Sequence, residues 1–362
     1  MAKFRVRRAR TVREVLEGLG LPAEAIDEAE RAGTAELLAL DAVVLPEKAK
    51  LTADELAEKV GIDVVEVRRY WRALGFVDVV ADEPSYSKRD VAILKSLVGL
   101  TRDGLVDPDI AFQVARVIGM SVAQVATAVV DSGLSRSGER PDDGGSLAVR
   151  SGDLLPFISE VIDYAFRRHL RAATRRRVLL ASSTDGETQV VGFADLVRFS
   201  EMSQQLDDRE LAELVGRFDR LVHDIVVRHG GRTVKMIGDA AMFSVIDPGA
   251  AALVALELSE EVANDPVLRG LRVGLASGPV LARDGDLYGS VVNIASRLTS
   301  IGRSGAINVD QSLRAALSGD RRFAFRSLGQ RPLRHIGDMR VYRLSRGPIT
   351  RHPASPPTPA DA

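Results

Sequence analysis

What most limits the fold of this chain is a change of texture near Glu187. Before it, apolar residues recur three and four apart, the period of a helix face. After it, short β-prone runs alternate with longer helical patterns, as in a sheet covered by crossover helices. TQVVGFADL reads as a strand that ends on an acid, Asp195. Leu211, Leu214, Val215, Phe218, Leu221, Val222 and Ile225 make one long amphipathic face. GGRTVKMIGDAAMFSVI predicts two strands joined at Gly238-Asp239, a tight-turn signal. Ala250 to Val262 follows as a second helix, LRVGLASG and PVLAR as a further strand pair, and Ser290 to Ile301 as a third helix. AINV, FAFRSL and RVYRL supply the remaining strands.

The first half reads as a run of short helices from Val12 to about Leu134, broken at Gly20, Pro46, Gly61 and Pro108. Ser135 to Leu147, rich in Gly, Ser and charge, reads as a mobile loop. Leu154, Ile158, Val161 and Ala165 then recur at helical spacing, with Pro156 suited to a first turn. The expected organisation is a helical domain over residues 1–152, a connecting helix over 153–181, an α+β domain over 182–346 and a disordered Pro-rich tail over 347–362.

A chain of 362 residues has room for two such domains. It contains no cysteine, which excludes disulfides, thiolate metal sites and cysteine nucleophiles. No run approaches the ~18 uninterrupted apolar residues of a membrane span. The basic start MAKFRVRRAR leads into Arg13, Glu14 and Glu17 in place of an apolar signal core, so the expected location is the cytoplasm.

Strand ends and turns let a carboxylate face a site without being buried. Asp195 and Asp239, about one βαβ unit apart, are suited to share a pair of Mg²⁺ ions, which take hard oxygen ligands and substrate phosphates. An Asp in a Gly-Asp turn is, by itself, ordinarily just a turn residue. In DLYGSVVNIASR, Asn293 and Arg297 stand four apart on the third helix and so project from one face. A positioned Arg suits a phosphoryl transition state, because its fork matches phosphate oxygens.

FADL with Asp195, KMIGD with Lys235 and Asp239, and DLYGSVVNIASR with Asp286, Asn293 and Arg297 resemble, in order and spacing, the class III nucleotide cyclases. The resemblance runs from about Val190 to Leu344. It implies a ferredoxin-like βαββαβ catalytic domain with extra strands. It assigns Asp195 and Asp239 to two Mg²⁺ or Mn²⁺ ions, Lys235 and Asp286 to the purine, Asn293 to the ribose and Arg297 to the α-phosphate. Backbone amides just after Asp195, at the start of the next helix, would take the β- and γ-phosphates. A Lys/Asp pair matches the bare N1 and exocyclic amine of adenine and opposes guanine. Guanylyl cyclases of the family typically carry Glu and Cys there. The implied reaction is ATP to cyclic AMP and pyrophosphate, with a DNA-binding MerR-like regulator carrying a degenerate nucleotide-binding module, or a guanylyl cyclase, as the alternatives. Where the family often has Leu-Lys-Gly near the C-terminus, this chain has Leu333-Arg334-His335, so Arg334 takes the triphosphate-binding place with altered geometry. Family domains act as head-to-tail dimers, so a chain holding every residue is expected to form a homodimer with two equivalent sites.

Residues 51–97 resemble a helix-turn-helix of the MerR kind. Yet within Leu51–Phe76 the acids Asp54, Glu55, Glu58, Asp63 and Glu66 outnumber the cations Lys59, Arg68, Arg69 and Arg72, and phosphate neutralisation dominates DNA affinity. No DNA partner is expected, and Leu56, Trp71 and Leu74 are more simply core residues of a helical bundle. The arrangement as a whole is similar to the autoinhibited, pH-responsive mycobacterial adenylyl cyclases. The arginine-rich end of the connecting helix, Arg167 to Arg177, reads either as a solvated helix end or as a switch element or contact for anionic lipid. His169 and His335 are the candidate pH-responsive histidines.

Overall fold

The computed structural model describes residues 11–79, 82–134, 147–181 and 188–348. Most of the expected loop 135–147 and all but the first residues of the expected tail lie outside them. The chain divides into two compact units, Met1–Thr174 and Arg175–Ala362.

The first unit is helical. Helices α1 (Val12–Gly18), α2 (Ala23–Arg31) and α3 (Ala35–Val44) close on Leu16, Ile26 and Ala39. α4 (Ala53–Val60) and α5 (Val64–Ala73) form the helix-turn-helix. Thr52 caps α4 in a reciprocal box with Glu55, Gly61 ends it at φ 79°, and Asp63 caps α5. With α6 (Lys88–Arg102) they enclose Leu56, Val67, Tyr70, Tyr86 and Leu94. Leu56 is fully buried as expected, and Trp71 packs its ring against Phe76 and Tyr86.

The unit departs from a run of short helices in its last two elements. α7 (Pro108–Leu134) has 27 residues and α8 (Leu147–Ala181) has 35. By length and composition α7 passes for a bilayer-crossing helix over Pro108–Asp131, with a mean hydropathy of 1.4. No uninterrupted apolar run marks it in the sequence, because Gly, Ser, Gln and Thr interleave its valines. α8 begins earlier than expected, so Pro156 lies well inside it instead of in its first turn. A proline there has no amide to offer the carbonyl one turn back, a local cost that a helix this long absorbs.

The second unit is α+β, as expected. In chain order it runs β1 (Thr188–Leu196), α9 (Phe199–Ser203), α10 (Asp208–Arg228), β2 (Arg232–Ile237), β3 (Ala240–Val245), α11 (Pro248–Asn264), β4 (Leu271–Pro279), β5 (Leu281–Arg283), β6 (Asp286–Tyr288), α12 (Ser290–Ser300), β7 (Ile307–Val309), α13 (Gln311–Ala316), β8 (Phe323–Leu333) and β9 (Gly337–Arg346). The main sheet is ordered β2-β3-β1-β4-β7-β9-β8. Its first four strands are antiparallel and form the ferredoxin-like βαββαβ core; β7 joins parallel to β4, and β8–β9 extend the far edge.

Both faces of β1 are covered, which explains its nearly continuous apolar run. Val190, Ala194 and Leu196 face the core shared with α10 and α11, while Val191 and Phe193 face the cluster under α12. Gly192 leaves room for the Phe243 ring, whose nearest atom would lie 2.2 Å from an added Cβ. The expected pairing of LRVGLASG with PVLAR does not form. β5 pairs with β6 in a separate two-stranded ribbon closed by Asp284-Gly285, both at positive φ. That Asp-Gly turn is the stronger hairpin signal, and it outcompetes the adjacent Pro279 junction.

Candidate active site

Period-two alternation on β1 puts Asp195 on the same face as Val191 and Phe193, the face that α12 covers. Ile237 and Ala240 are register partners, so Gly238 and Asp239 are the whole turn between β2 and β3; Gly238 takes φ 61°, which a side chain would resist. Asp195 is in turn the partner of Ala240, and the Leu196 amide donates to the Asp239 carbonyl at 3.1 Å. Two acids 44 residues apart in sequence are thereby made neighbours. Burial holds the Asp195 carboxyl above the ordinary range, Arg272 pulls it down, and the Asp239 charge pushes it up again.

Arg272 was not picked out by the sequence reading. It stands directly across from Asp195 on β4 and donates to Asp195 Oδ2 from Nε at 2.7 Å, with Nη2 at 2.5 Å. Only the β1–β4 register reveals it.

Lys235 faces the same side as Asp195, since its register partner Met242 belongs to the cluster under α12. Its Nζ donates to Asp286 Oδ2. The β5–β6 ribbon carries Asp286 to this place, tied to β2 by a bond from Arg232 to the Gly285 carbonyl at 2.9 Å. Burial would raise the Asp286 carboxyl; the Lys235 bond and the Leu287 amide outweigh it and hold the carboxyl below its ordinary range. So exposed a pair adds at most ~1 kcal/mol to stability. Its significance is position: an ammonium and a carboxylate presented side by side.

Asn293 and Arg297 lie one turn apart on α12, whose buried side is Val291, Ala295 and Leu298. α12 sits tightly on the sheet because Gly274 has no side chain: a Cβ there would come within 2.3 Å of the Ala295 carbonyl. Thr299 Oγ1 donates to the Phe193 carbonyl at 3.3 Å. Among the described residues, the side chains of Asn293 and Arg297 make no hydrogen bond or ion pair within the chain, which leaves both available to a ligand. Arg334 occupies the exposed turn between β8 and β9, beside Leu333, which is buried in the cluster under α12. No hydrogen bond or ion pair joins it to the other candidates among the described residues. The helix after Asp195 has five residues and begins at Phe199.

One acid outside this group is raised above its ordinary range. Asp310 caps α13 through the Leu313 amide at 2.9 Å, and burial pushes its carboxyl up to about 6.

Among the described residues no cluster of three or more metal-type ligands occurs, so the paired carboxylates Asp195 and Asp239 are the candidate cation site. Their chemistry fits Mg²⁺ or Mn²⁺: hard oxygens, two like charges in mutual reach, and room in the coordination shell for water and substrate phosphates.

A ferredoxin-like palm with paired acids at a strand end and turn, and a Lys–Asp pair on the same side of the sheet, suits a metal-assisted nucleotide reaction. Comparison with known proteins gives that class its family. Residues 183–346 match the adenylate and guanylate cyclase catalytic domain. An adenylate cyclase of Streptomyces coelicolor is 34% identical, over 90% of this chain and 93% of its own. An adenylate cyclase of Streptomyces griseus is 37% identical, over 75% and 69%. The pH-sensitive adenylate cyclase of Mycobacterium tuberculosis is 32% identical, over 95% and 89%. The chain belongs to the class III adenylate and guanylate cyclase family. The likeness to the pH-responsive mycobacterial enzymes, read from the arrangement of the two halves, extends along nearly the whole chain.

Proposed function

We propose that the protein is an adenylyl cyclase that turns ATP into 3′,5′-cyclic AMP and pyrophosphate at two equivalent sites in a homodimer. The observation that carries this reading is the Lys235–Asp286 pair. The ammonium donates to adenine N1 and the carboxylate accepts from the exocyclic amine, whereas guanine offers each of them the wrong partner. The adenylate cyclases among the relatives support the same choice.

Asp195 and Asp239 would hold two Mg²⁺ or Mn²⁺ ions, which when bound supply positive charge to the triphosphate and acidity to the 3′-hydroxyl. Asn293 orients the ribose so that its 3′-oxygen lies in line with the α-phosphorus. Arg297 donates to the α-phosphate oxygens as negative charge builds there. The 3′-oxygen bonds to that phosphorus while the bond to the pyrophosphate oxygen breaks, and the hydroxyl proton leaves to solvent. Arg334, from the β8–β9 turn, offers its charge to the triphosphate.

An assay of the purified protein with ATP and GTP, with Mg²⁺ or Mn²⁺, tests this reading. Cyclic AMP is the expected product, and turnover of GTP to cyclic GMP with equal or greater efficiency would favour a guanylyl cyclase. Lys235→Glu combined with Asp286→Cys should lose most ATP cyclisation. Unchanged ATP kinetics in that double variant would show that the pair does not read the purine.

We also propose that the helical half restrains the catalytic half, in a cytoplasmic setting. α8 ends at Ala181 and β1 begins at Thr188, so the helix leads almost directly into the strand that carries Asp195. A shift in such a helix changes how two catalytic subunits meet. The arginine-rich end of α8, including His169 and the Arg167–Asp163 pair, is the proposed switch segment. A fragment spanning 182–346 should be more active than the full chain at neutral and alkaline pH, with the gap narrowing on acidification. Equal specific activity from about pH 5.5 to 8, both proteins being dimeric, would remove the autoinhibition model.

The fragment should carry a pH response of its own through Asp310. Its folded value is raised above the unfolded one, so the folded state binds the extra proton and this contribution to stability is lost as pH rises through about 6.

A further inference from the structure

We propose that Arg303, Arg326 and Arg343 form a binding site for a phosphate group where the α12–β7 turn meets β9 and β8, outside the candidate active site. From Arg303 to Pro348 the chain carries ten arginines and three aspartates, although its overall net charge is -1. Those aspartates are committed elsewhere. Asp320 is bonded to Arg322, Asp310 accepts from the amides of Ser277 and Leu313, and Asp338 stands near the opposite end of β9 from Arg343. Among the described residues no carboxylate pairs with Arg303, Arg326 or Arg343.

Strand register gathers the cations. Asn308 on β7 is the partner of Arg343 on β9, and Arg343 is the partner of Arg326 on β8. Their side chains therefore line one face of three adjoining strands. Asn308 is fully buried and fixes the middle of the row. Its Oδ1 accepts from Arg343 Nε at 3.1 Å, while its Nδ2 donates to the Leu298 carbonyl of α12 at 2.8 Å. That bond occupies only Nε and leaves both Nη nitrogens of the Arg343 fork for a ligand. Burial, with the charges of Arg326 and Arg303, holds the Arg343 guanidinium below the ordinary arginine range.

A half-buried guanidinium beside two like charges is unfavourable for the fold by itself. The C-terminal end of α12 offers only the partial negative charge of a helix end, and its Leu298 carbonyl is already taken by Asn308. An incoming anion turns each of these repulsions into an attraction shared with it. One arginine fork satisfies a carboxylate; three cations suit the greater charge and the several free oxygens of a phosphate group. Asn308 also joins the site to α12, the helix that carries Asn293 and Arg297.

The test is the melting temperature of the full-length protein in chelator, in phosphate and in sodium chloride of equal ionic strength. About 20 mM phosphate is expected to raise melting of the parent by about 2–4 °C over chloride, and Arg326→Gln and Arg343→Gln should lose most of that increment. The general salting effect of phosphate is common to parent and variants, so the difference between them reports the site. In chloride, Arg326→Gln at its exposed position should melt at or above the parent, because it relieves repulsion at Arg343. Arg297→Ala should keep the increment, which separates this site from the nucleotide site. An increment shared equally by both variants, or lost in Arg297→Ala, would overturn the proposal. So would an Arg326→Gln protein destabilised equally in both salts, which marks a structural arginine. Sedimentation with phosphatidylcholine vesicles, with and without phosphatidylglycerol, separates the sources of the phosphate. An increment without vesicle binding assigns a soluble phosphorylated ligand. Binding to the anionic vesicles that depends on Arg326 and Arg343 assigns a lipid headgroup, and neither response in the parent overturns the proposal. No turnover is measured, so the outcome stands apart from the cyclase reading.

Discussion

An Asp239→Ala variant is expected to fold and dimerise like the parent chain yet to form cyclic AMP orders of magnitude more slowly. The fold survives because what Asp239 gives the sheet is its backbone: its carbonyl accepts from the Leu196 amide, and alanine retains that carbonyl. Its side chain is half-buried beside Asp195, so the change strips one of two acids from the cation site without opening a cavity in the core. Asp195→Ala is a less clean test, since it also leaves Arg272 without its partner. A coupled assay of initial rates, with light scattering and circular dichroism on the same samples, gives the comparison. Near-normal turnover by a dimeric Asp239→Ala protein would end the two-metal assignment.

Mixing two dead proteins is expected to restore activity. Asp239→Ala removes the cation site of one subunit, and Arg297→Ala removes the group that meets the α-phosphate. In the proposed head-to-tail dimer these groups come from opposite subunits at each site. A mixed dimer then gathers both lesions into one site and leaves the other whole. Equal amounts, exchanged at random, make half of the dimers mixed, each with one working site of two, so about a quarter of parental activity should return. The single Arg297→Ala protein should fall by roughly 10²–10³-fold, the usual cost of losing a transition-state donor. No recovery despite demonstrated subunit exchange would mean that each site is built within one chain.

The proposed site residues were legible because each stands at a place that sequence marks. Asp195 closes an apolar run, Asp239 follows a glycine in a two-residue turn, and Asn293 and Arg297 share a helix face by spacing alone. The amphipathic face of α10 and the caps of α4 and α5 were visible for the same reason: they are set by neighbours within a turn or two. The misreadings came where local signals competed. PVLAR reads as a partner of the preceding strand, although the Asp284-Gly285 turn couples it to the following one. Pro156 suggested a helix start because prolines favour that position, but a long helix tolerates one inside it.

What the sequence determined by itself, then, was the kind of chain this is: a helical half, an α+β half, and the acids, lysine, asparagine and arginine that carry the resemblance to the family. Each is declared by a local period, a turn or a short motif. What only the tertiary structure decided were the partnerships across long separations. Arg272 meets Asp195 because sheet order places β4 beside β1, 77 residues on. Lys235 meets Asp286 because the β5–β6 ribbon returns to β2. Asp310 reaches its shifted value because folding buries it. Register, strand order and burial arise from the packing of the whole sheet, and no window of sequence contains both sides of such a contact.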